Sequence, residues 1–313
     1  MKALITGGAG FIGSQIAEAV CKKGGRAIVL DNLSLGSLDN LAWSNSGNSL
    51  EFVRGDIRDL ELLNKLLPGC DVVFNQAALP SVPMSVEKPV ETNQQNLEAA
   101  LQLLVAARDA KVRRLVFASS SAVYGDSEVS PKHEDLAPNP LSPYALQKYA
   151  AERYGQIFYQ LYGLETVSLR YFNVFGPRQS FDSPYSGVIA KFCTTVLRRD
   201  CPTIFGDGLQ SRDFIYIDNV VNANIQAAEA PAENAAGKVF NVAGGQSINL
   251  LQLLEELNRL TEQSLQPRFQ QSRTGDVRSS VADIGRIQSA LGYEVKVSWR
   301  EGLSRTLDFY KAS

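Results

Sequence analysis

The sequence predicts an α/β fold, a doubly wound parallel sheet with a smaller α/β domain interleaved with it. Three observations carry that prediction. Short apolar runs alternate with helical patterns through residues 1–172, as in sheets whose parallel strands are joined by crossover helices. The first run enters a glycine turn, Gly7-Gly8-Ala9-Gly10-Phe11-Ile12-Gly13, and a helix leaves it. Beyond Phe172 the pattern changes to short strands and helices between Gly/Pro-containing loops.

Taken in order, residues 3–6 form the first strand. The helix after the glycines runs through Cys21, with Lys22 and Lys23 in its last turn and Gly24-Gly25 ending it. Residues 27–30 form the second strand, ended by Asp31, and 50–53 the third, leading to Gly55-Asp56-Ile57. Residues 71–74 form the fourth, leading to Gln76-Ala77-Ala78. Residues 79–89 hold Pro80, Pro83 and Pro89 and read as a loop. A helix is expected over 92–110, where Leu97, Ala100, Leu101 and Leu104 recur at helical spacing. The fifth strand, 114–118, ends in Ser119-Ser120-Ser121, and a loop covers 122–141.

Ser142 is then a natural N-cap and Pro143 suits the first helical position, so a helix is expected to about Tyr162. A sixth strand covers 165–172 and a loop 173–186. A helix is expected at 188–199, strands at 203–205 and 213–217, and a helix capped by Asp218. A strand at 238–243 returns to the sheet, and helices follow at 250–260, 284–291 and 300–310. The main domain is therefore 1–172 plus about 213–243, and the smaller one 173–212 with 244–313.

Composition narrows the possible functions. The formal net charge is −2 and no long basic run occurs, so nucleic acid is not an expected partner. No apolar run approaches the length of a membrane span, and the first strand runs straight into the glycine turn, leaving no room for a signal peptide. Cys21, Cys70, Cys193 and Cys201 show no C-x-x-C spacing and His133 is the single histidine, so no metal site is expected. Cys21 and Cys193 fall in helical patterns as small core residues. A reduced, cytoplasmic protein is the expectation.

Chemistry enters with two motifs. Gly7, Gly10 and Gly13 let the backbone approach a pyrophosphate at a helix N-terminus, and Asp31 at the end of the second strand accepts ribose hydroxyls. This makes the fold Rossmann-type, and Asp31 would repel a 2′-phosphate, favouring NAD over NADP. Asp56 at the next strand end either holds the adenine amino group or simply caps a helix. The second motif is Tyr144 with Lys148, four residues apart on one helix face. An ammonium beside a phenol favours the phenolate and so makes a base. Gln76, the serine run and these motifs all fall at the carboxyl ends of the strands, where such sheets bind ligands.

Together, these residues resemble the extended short-chain dehydrogenase/reductase family, within it the nucleotide-sugar 4-epimerases, and most closely the UDP-N-acetylglucosamine 4-epimerases. The shared motifs are the glycine turn, Asp31-Asn32-Leu33-Ser34, Gly55-Asp56-Ile57, Ser119-Ser120-Ser121-Ala122-Val123-Tyr124-Gly125, and Tyr144 with Lys148. They continue as Leu169-Arg170-Tyr171-Phe172-Asn173-Val174-Phe175-Gly176-Pro177, Arg212-Asp213-Phe214, and Arg273-Thr274-Gly275-Asp276-Val277-Arg278. The resemblance implies that Ser120, Tyr144 and Lys148 are catalytic, with Lys148 also bonding the nicotinamide ribose. It places Phe11, Ile12, Asn32, Ser34, Gly36, Ile57, Gln76, Ala77, Ala78 and Tyr171 against NAD. Asn173, Arg212, Arg273 and Asp276 are implied to hold the UDP moiety, with Ser81, Ser121, Val188, Thr203, Phe205 and Ser280 on the substrate side. Arginine suits such a role through bidentate phosphate binding.

The reaction follows from what is missing. All relatives first oxidise the sugar at C4, the tyrosine taking the hydroxyl proton and NAD the hydride. The dehydratases of this family then use an Asp-Glu pair directly after the catalytic Ser/Thr, and the decarboxylases a glutamate there. Here those positions are Ser121 and Ala122. Return of hydride to the other face of C4 remains, which is 4-epimerisation. UDP-glucuronate epimerisation, a net keto-sugar reductase and a non-catalytic dinucleotide-binding scaffold stay as alternatives. Epimerases restricted to UDP-glucose and UDP-galactose carry tyrosine at the position of Ser280. A small residue there, or at Ser279, leaves room for an N-acetyl group, without strongly rejecting the smaller sugar. Pro80 stands where relatives often carry glycine. The helices at 92–110 and 144–162 are implied to pair across a homodimer.

Overall fold

The computed structural model describes residues 1–44, 49–181, 187–271 and 279–312. Strands β1 (Lys2–Thr6), β2 (Arg26–Asp31), β3 (Leu50–Arg54), β4 (Val72–Asn75), β5 (Arg114–Ser120) and β6 (Glu165–Tyr171) form one parallel sheet. Short strands β7 (Asn173–Phe175), β8 (Thr203–Phe205), β9 (Ser211–Arg212) and β10 (Phe214–Tyr216) lie outside it, and β11 (Lys238–Val242) returns to pair with β6. The order across the seven-stranded sheet is β11-β6-β5-β4-β1-β2-β3. The chain moves outward from β1 through β2 to β3, then resumes on the other side at β4. The boundary between β1 and β4 is therefore the switch point at which doubly wound sheets open a crevice.

Alternation along the strands divides the core into two layers. Ala3, Ile5, Val29, Phe74 and Val116 pack with Ile16, Val20 and Val220 on one face. Leu4, Ile28, Leu30, Val73, Leu115 and Phe117 pack with Leu103, Leu104 and Phe158 on the other. Both faces are covered, which is why the strands read as continuous apolar runs. Helices α1 (Phe11–Lys22), α2 (Leu60–Leu66), α3 (Val82–Glu87), α4 (Pro89–Asn93), α5 (Ala99–Asp109), α6 (Pro143–Tyr162), α7 (Val188–Leu197) and α8 (Ile217–Glu229) supply most of the covering layers. No helix among the described residues is long and apolar enough to cross a membrane.

Several elements differ from expectation. The proline-rich stretch 79–89 contains helix α3 because Ser81 caps it, accepting from Met84 N at 3.1 Å, and Pro83 falls in the tolerant first turn. The helix expected at 92–110 begins earlier, at Pro89, and widens into a π turn over Gln94–Glu98. There the buried Asn96 side chain bonds Leu79 N (2.8 Å), Leu79 O (3.2 Å) and Gln147 Oε1 (2.9 Å), tertiary contacts invisible to periodicity. Strand β5 extends through Ser120, and a 3₁₀ turn over Ser121–Tyr124 opens the loop after it. Residues 173–175 form β7, paired in parallel with β10. Asp218 does not cap α8. The cap position is Tyr216, and Asp218 in the first turn pairs instead with Arg305 at 3.1 Å.

Candidate active site

The glycine turn is held by close backbone contacts. Gly7 adopts a left-handed conformation (φ +64°), and a Cβ there would lie 2.7 Å from Ala77 N. A Cβ on Gly13 would lie 2.3 Å from Gly7 O. Gly10 gives α1 no side-chain cap, which leaves the N–H groups of Phe11 and Ile12 in its first turn as helix-terminal donors. The Asp31 carboxylate accepts from Ala9 N (2.9 Å) and Leu33 N (2.8 Å), fixing the turn against the loop at the end of β2. Within that loop Asn32 bonds Ser34 N (3.0 Å) and Asp56 (3.1 Å), and Gly36 lies against the Ala9 backbone. Asp56 is gripped by Arg58 through two bonds of 2.9 Å, and Arg58 holds its carboxyl well below the usual range. Beside it opens a cavity of about 480 Å³ lined by Asp56, Arg58, Gln94 and Glu98. Ile57 is buried.

At the end of β4, Ala77 N donates to Thr6 Oγ1 (3.4 Å), and Ala78 turns the chain toward α3. Gln76 donates to the Tyr171 hydroxyl (3.1 Å), which in turn donates to Asn224 (2.9 Å). Burial pushes the Tyr171 phenol up to about 12. A glycine turn with no room for Cβ atoms, an uncapped helix N-terminus and a carboxylate at the end of β2 together suit the pyrophosphate and ribose of NAD.

Helix α6 sets the reactive groups. Ser142 caps it, accepting from Ala145 N at 3.2 Å, and Ser85 of α3 accepts from Tyr144 N at 3.1 Å. Tyr144 and Lys148 share a face, as the four-residue spacing requires. Ser120, at the tip of β5, accepts from Ala122 N at 3.2 Å and stands near enough to the Tyr144 phenol to pull its titration down. Lys148 donates to Ala118 O at 2.8 Å, with Nζ 5.0 Å from the Phe117 ring centroid. Burial pushes Lys148 down to about 8, with Glu152 pulling the other way.

Lys148 is not among the groups that act on the Tyr144 phenol in this geometry. Part of the tyrosine surface stays accessible, yet burial is deep enough to push the phenol up, and Ser120 supplies the opposing pull. The reason is geometric: Lys148 Nζ turns to the Ala118 carbonyl and stands 5.9 Å from the tyrosine ring.

On the other side of the crevice, Asn173 bonds Asp213 O through its backbone N (3.1 Å) and its side chain (3.3 Å). Arg212 donates to Ser211 O at 2.8 Å, and Ser280 lies in parallel register with it. Val188 opens α7, and β8 begins at the exposed Thr203 and ends at the half-buried Phe205. Ser81 has its hydroxyl engaged in capping α3, and Ser121 opens the 3₁₀ turn. Arg273 and Asp276 lie outside the described residues.

Sequence reasoning did not single out Asp213 or Glu152. Asp213 is fully buried, accepting from Gly244 N (2.7 Å), Gly245 N (3.1 Å) and Ala282 N (3.1 Å). A lone aspartate has no sequence pattern that reveals such a role, whereas Glu152 stands one helical turn beyond Lys148 and could have been found by spacing. Burial pushes Asp213 up to about 7 despite those N–H donors. A raised folded-state value favours the protonated form in the fold. Its contribution is thus full below the ordinary carboxylate range and is lost as pH rises through about 7. Chemical denaturation of the parent and Asp213→Asn should give a stability difference that shrinks on the order of 1 kcal/mol per pH unit between about pH 5 and 7. A pH-independent difference would refute this.

The NAD dependent epimerase/dehydratase family model matches residues 3–243. A UDP-glucose 4-epimerase of Mycolicibacterium smegmatis is 36% identical over 313 residues, covering 99% of both chains. Among solved structures, UDP-N-acetylglucosamine 4-epimerase from Methanobrevibacter ruminantium in complex with UDP-N-acetylmuramic acid superposes with a TM-score of 0.94 at 39% identity, covering 99% of this chain and 98% of that one. Thermus thermophilus UDP-glucose 4-epimerase in complex with NAD gives 0.89 at 36% identity, covering 100% of each.

Proposed function

From the premise that this chain belongs to the NAD-dependent epimerase/dehydratase family, with NAD as its cofactor, we propose that it catalyses reversible 4-epimerisation of a UDP-hexose. The pair UDP-GlcNAc and UDP-GalNAc is the first choice, with UDP-glucose and UDP-galactose also accepted. The observation that carries this reading is the convergence of Ser120, Tyr144 and Lys148 at the ends of β5 and α6, followed by Ser121 and Ala122 in a tight 3₁₀ turn that offers no carboxylate. Tyr144 takes the proton of the sugar 4-hydroxyl as a phenolate that burial disfavours and the positive charge of bound NAD would favour, and the Ser120 hydroxyl bonds the same oxygen. Bound NAD supplies the hydride acceptor and donor for C4. With Ser121 and Ala122 standing where a dehydratase carries its acid and base, Tyr144 returns the proton after the sugar presents its other face.

The N-acetyl preference rests on Ser280, a small half-buried residue beside Arg212. The smaller domain, 173–212 with 244–313, would hold the UDP moiety through Asn173 and Arg212 and, by their motif, Arg273 and Asp276. Purified protein without added NAD should convert UDP-GlcNAc to UDP-GalNAc. Failure on both UDP-GlcNAc and UDP-glucose would overturn the reading, and stoichiometric consumption of reduced nicotinamide would favour a reductase. Ser280→Tyr should lower kcat/KM for the N-acetyl sugars by roughly 10- to 200-fold and leave UDP-glucose turnover near the parent value. Equal loss on both sugars would sink the size argument.

A cytoplasmic homodimer completes the proposal. Leu146, Tyr154, Ile157 and Leu161 leave an exposed apolar stripe on α6. Light scattering should give twice the 34.2 kDa chain mass, and a monomer at micromolar concentration would refute the pairing.

A further inference from the structure

Helix α6 carries a third polar residue on the stripe of Tyr144 and Lys148. Glu152 is 1% exposed, one turn beyond Lys148. Its Oε1 accepts from the Ser119 hydroxyl and from Arg170 Nε (2.9 Å), and its Oε2 accepts from Arg170 Nη2 (2.8 Å). Arg170, on β6, stacks its guanidinium 4.8 Å from the Tyr124 ring centroid, and the Tyr124 hydroxyl donates to Asn241 of β11 at 2.6 Å. One carboxylate thus joins α6 to the end of β5 and to β6, and the chain continues to β11. Its attachment to β5 is Ser119, the residue immediately before Ser120.

We propose that Glu152 is a positioning residue for the reactive groups, tying the strand tip that bears Ser120 to the helix that bears Tyr144 and Lys148. The inference rests on the epimerase reading for its kinetic consequence, but its geometry is independent of it. A buried ion pair of this kind contributes little net stability compared with apolar packing, so its place beside Ser119 and Lys148 points to organisation of the site. Around Lys148, α6 presents Tyr144 and Glu152, and β5 presents the Phe117 ring, the Ala118 carbonyl and Ser119. β6 presents Arg170, already bound to Glu152, and the α4–α5 layer faces α6 through the uncharged Thr92 and Asn96. Glu152 is the charged group among the described residues whose field acts on Lys148, and it favours the ammonium.

The test compares the parent with Glu152→Gln, which keeps the shape and removes the charge, and Ser119→Ala, which removes only the strand tether. Glu152→Gln should lower kcat by roughly tenfold to a hundredfold with KM near the parent value, and move the alkaline limb of the kcat profile down by about one pH unit. Ser119→Ala should lower kcat without moving that limb. A readout free of turnover is the side-chain ¹³Cε titration of Lys148 in ¹³C-lysine protein, assigned by Lys148→Arg. Its midpoint should fall in Glu152→Gln. Should Glu152→Gln not fold, Glu152→Asp, which shortens the reach to Ser119, should lower kcat and shift the Lys148 midpoint. A folded Glu152→Gln, or that replacement for it, with parental kcat and midpoint overturns the proposal. An inactive parent would overturn the epimerase reading, and the Lys148 titration would still decide the role of Glu152.

Discussion

Replacing Tyr144 by phenylalanine is expected to lower kcat by about 10²–10⁴-fold, the span that general acid–base groups contribute. The substitution removes one hydroxyl from a ring whose remaining surroundings are unchanged, so the fold and the binding of NAD and UDP should persist. The structure makes the loss specific, because the phenol stands by Ser120 and on the helix face that also carries Lys148. The measurement is single-turnover epimerisation beside calorimetric titration with UDP. Retained turnover within about tenfold of the parent would remove Tyr144 from the mechanism, whereas loss of UDP binding would mean that the ring had been structural.

Gly13→Ala should have the second large effect, and on a different property. Its Cβ would stand 2.3 Å from Gly7 O and 2.8 Å from Gly8 Cα, both backbone atoms that no side-chain rotation can move away. The turn must open, and with it the cradle for the pyrophosphate. Protein purified from Gly13→Ala should carry no NAD and melt several degrees lower, from a loss of several kcal/mol typical of steric overpacking and lost ligand linkage. Gly24→Ala is the matched control. Its φ is +77° but nothing lies within 4 Å of the added methyl, so it should cost only about 1 kcal/mol of backbone strain and keep NAD. Equal behaviour of the two variants would mean that conformational preference, not close approach, sets the turn.

The strands, the glycine turn and the Tyr144–Lys148 face were legible because each is a local pattern: apolar runs, a fixed glycine spacing, a helical repeat. The family match and the seven-stranded parallel sheet agree with that reading. What escaped was set by contacts between distant segments. Three prolines argued for a loop at 79–89, but the capping hydroxyl of Ser81 and the position of Pro83 allow α3. The π turn at 94–98 follows from Asn96 reaching Leu79 and Gln147. The bond from Lys148 to the Ala118 carbonyl was hidden too, since nothing in the spacing of α6 reveals what β5 presents. Asp213 gathers N–H groups from residues 244, 245 and 282, a convergence that only folding brings about.

The Ser85 contact with Tyr144 N, together with Asn96 holding both Leu79 and Gln147, ties the 79–88 segment to α6. The segment that would meet the sugar and the helix that would deprotonate it are thus inherited as one block. Exchange of this segment between epimerases to alter sugar choice would carry a turnover penalty unless the partners of Ser85 and Asn96 travelled with it.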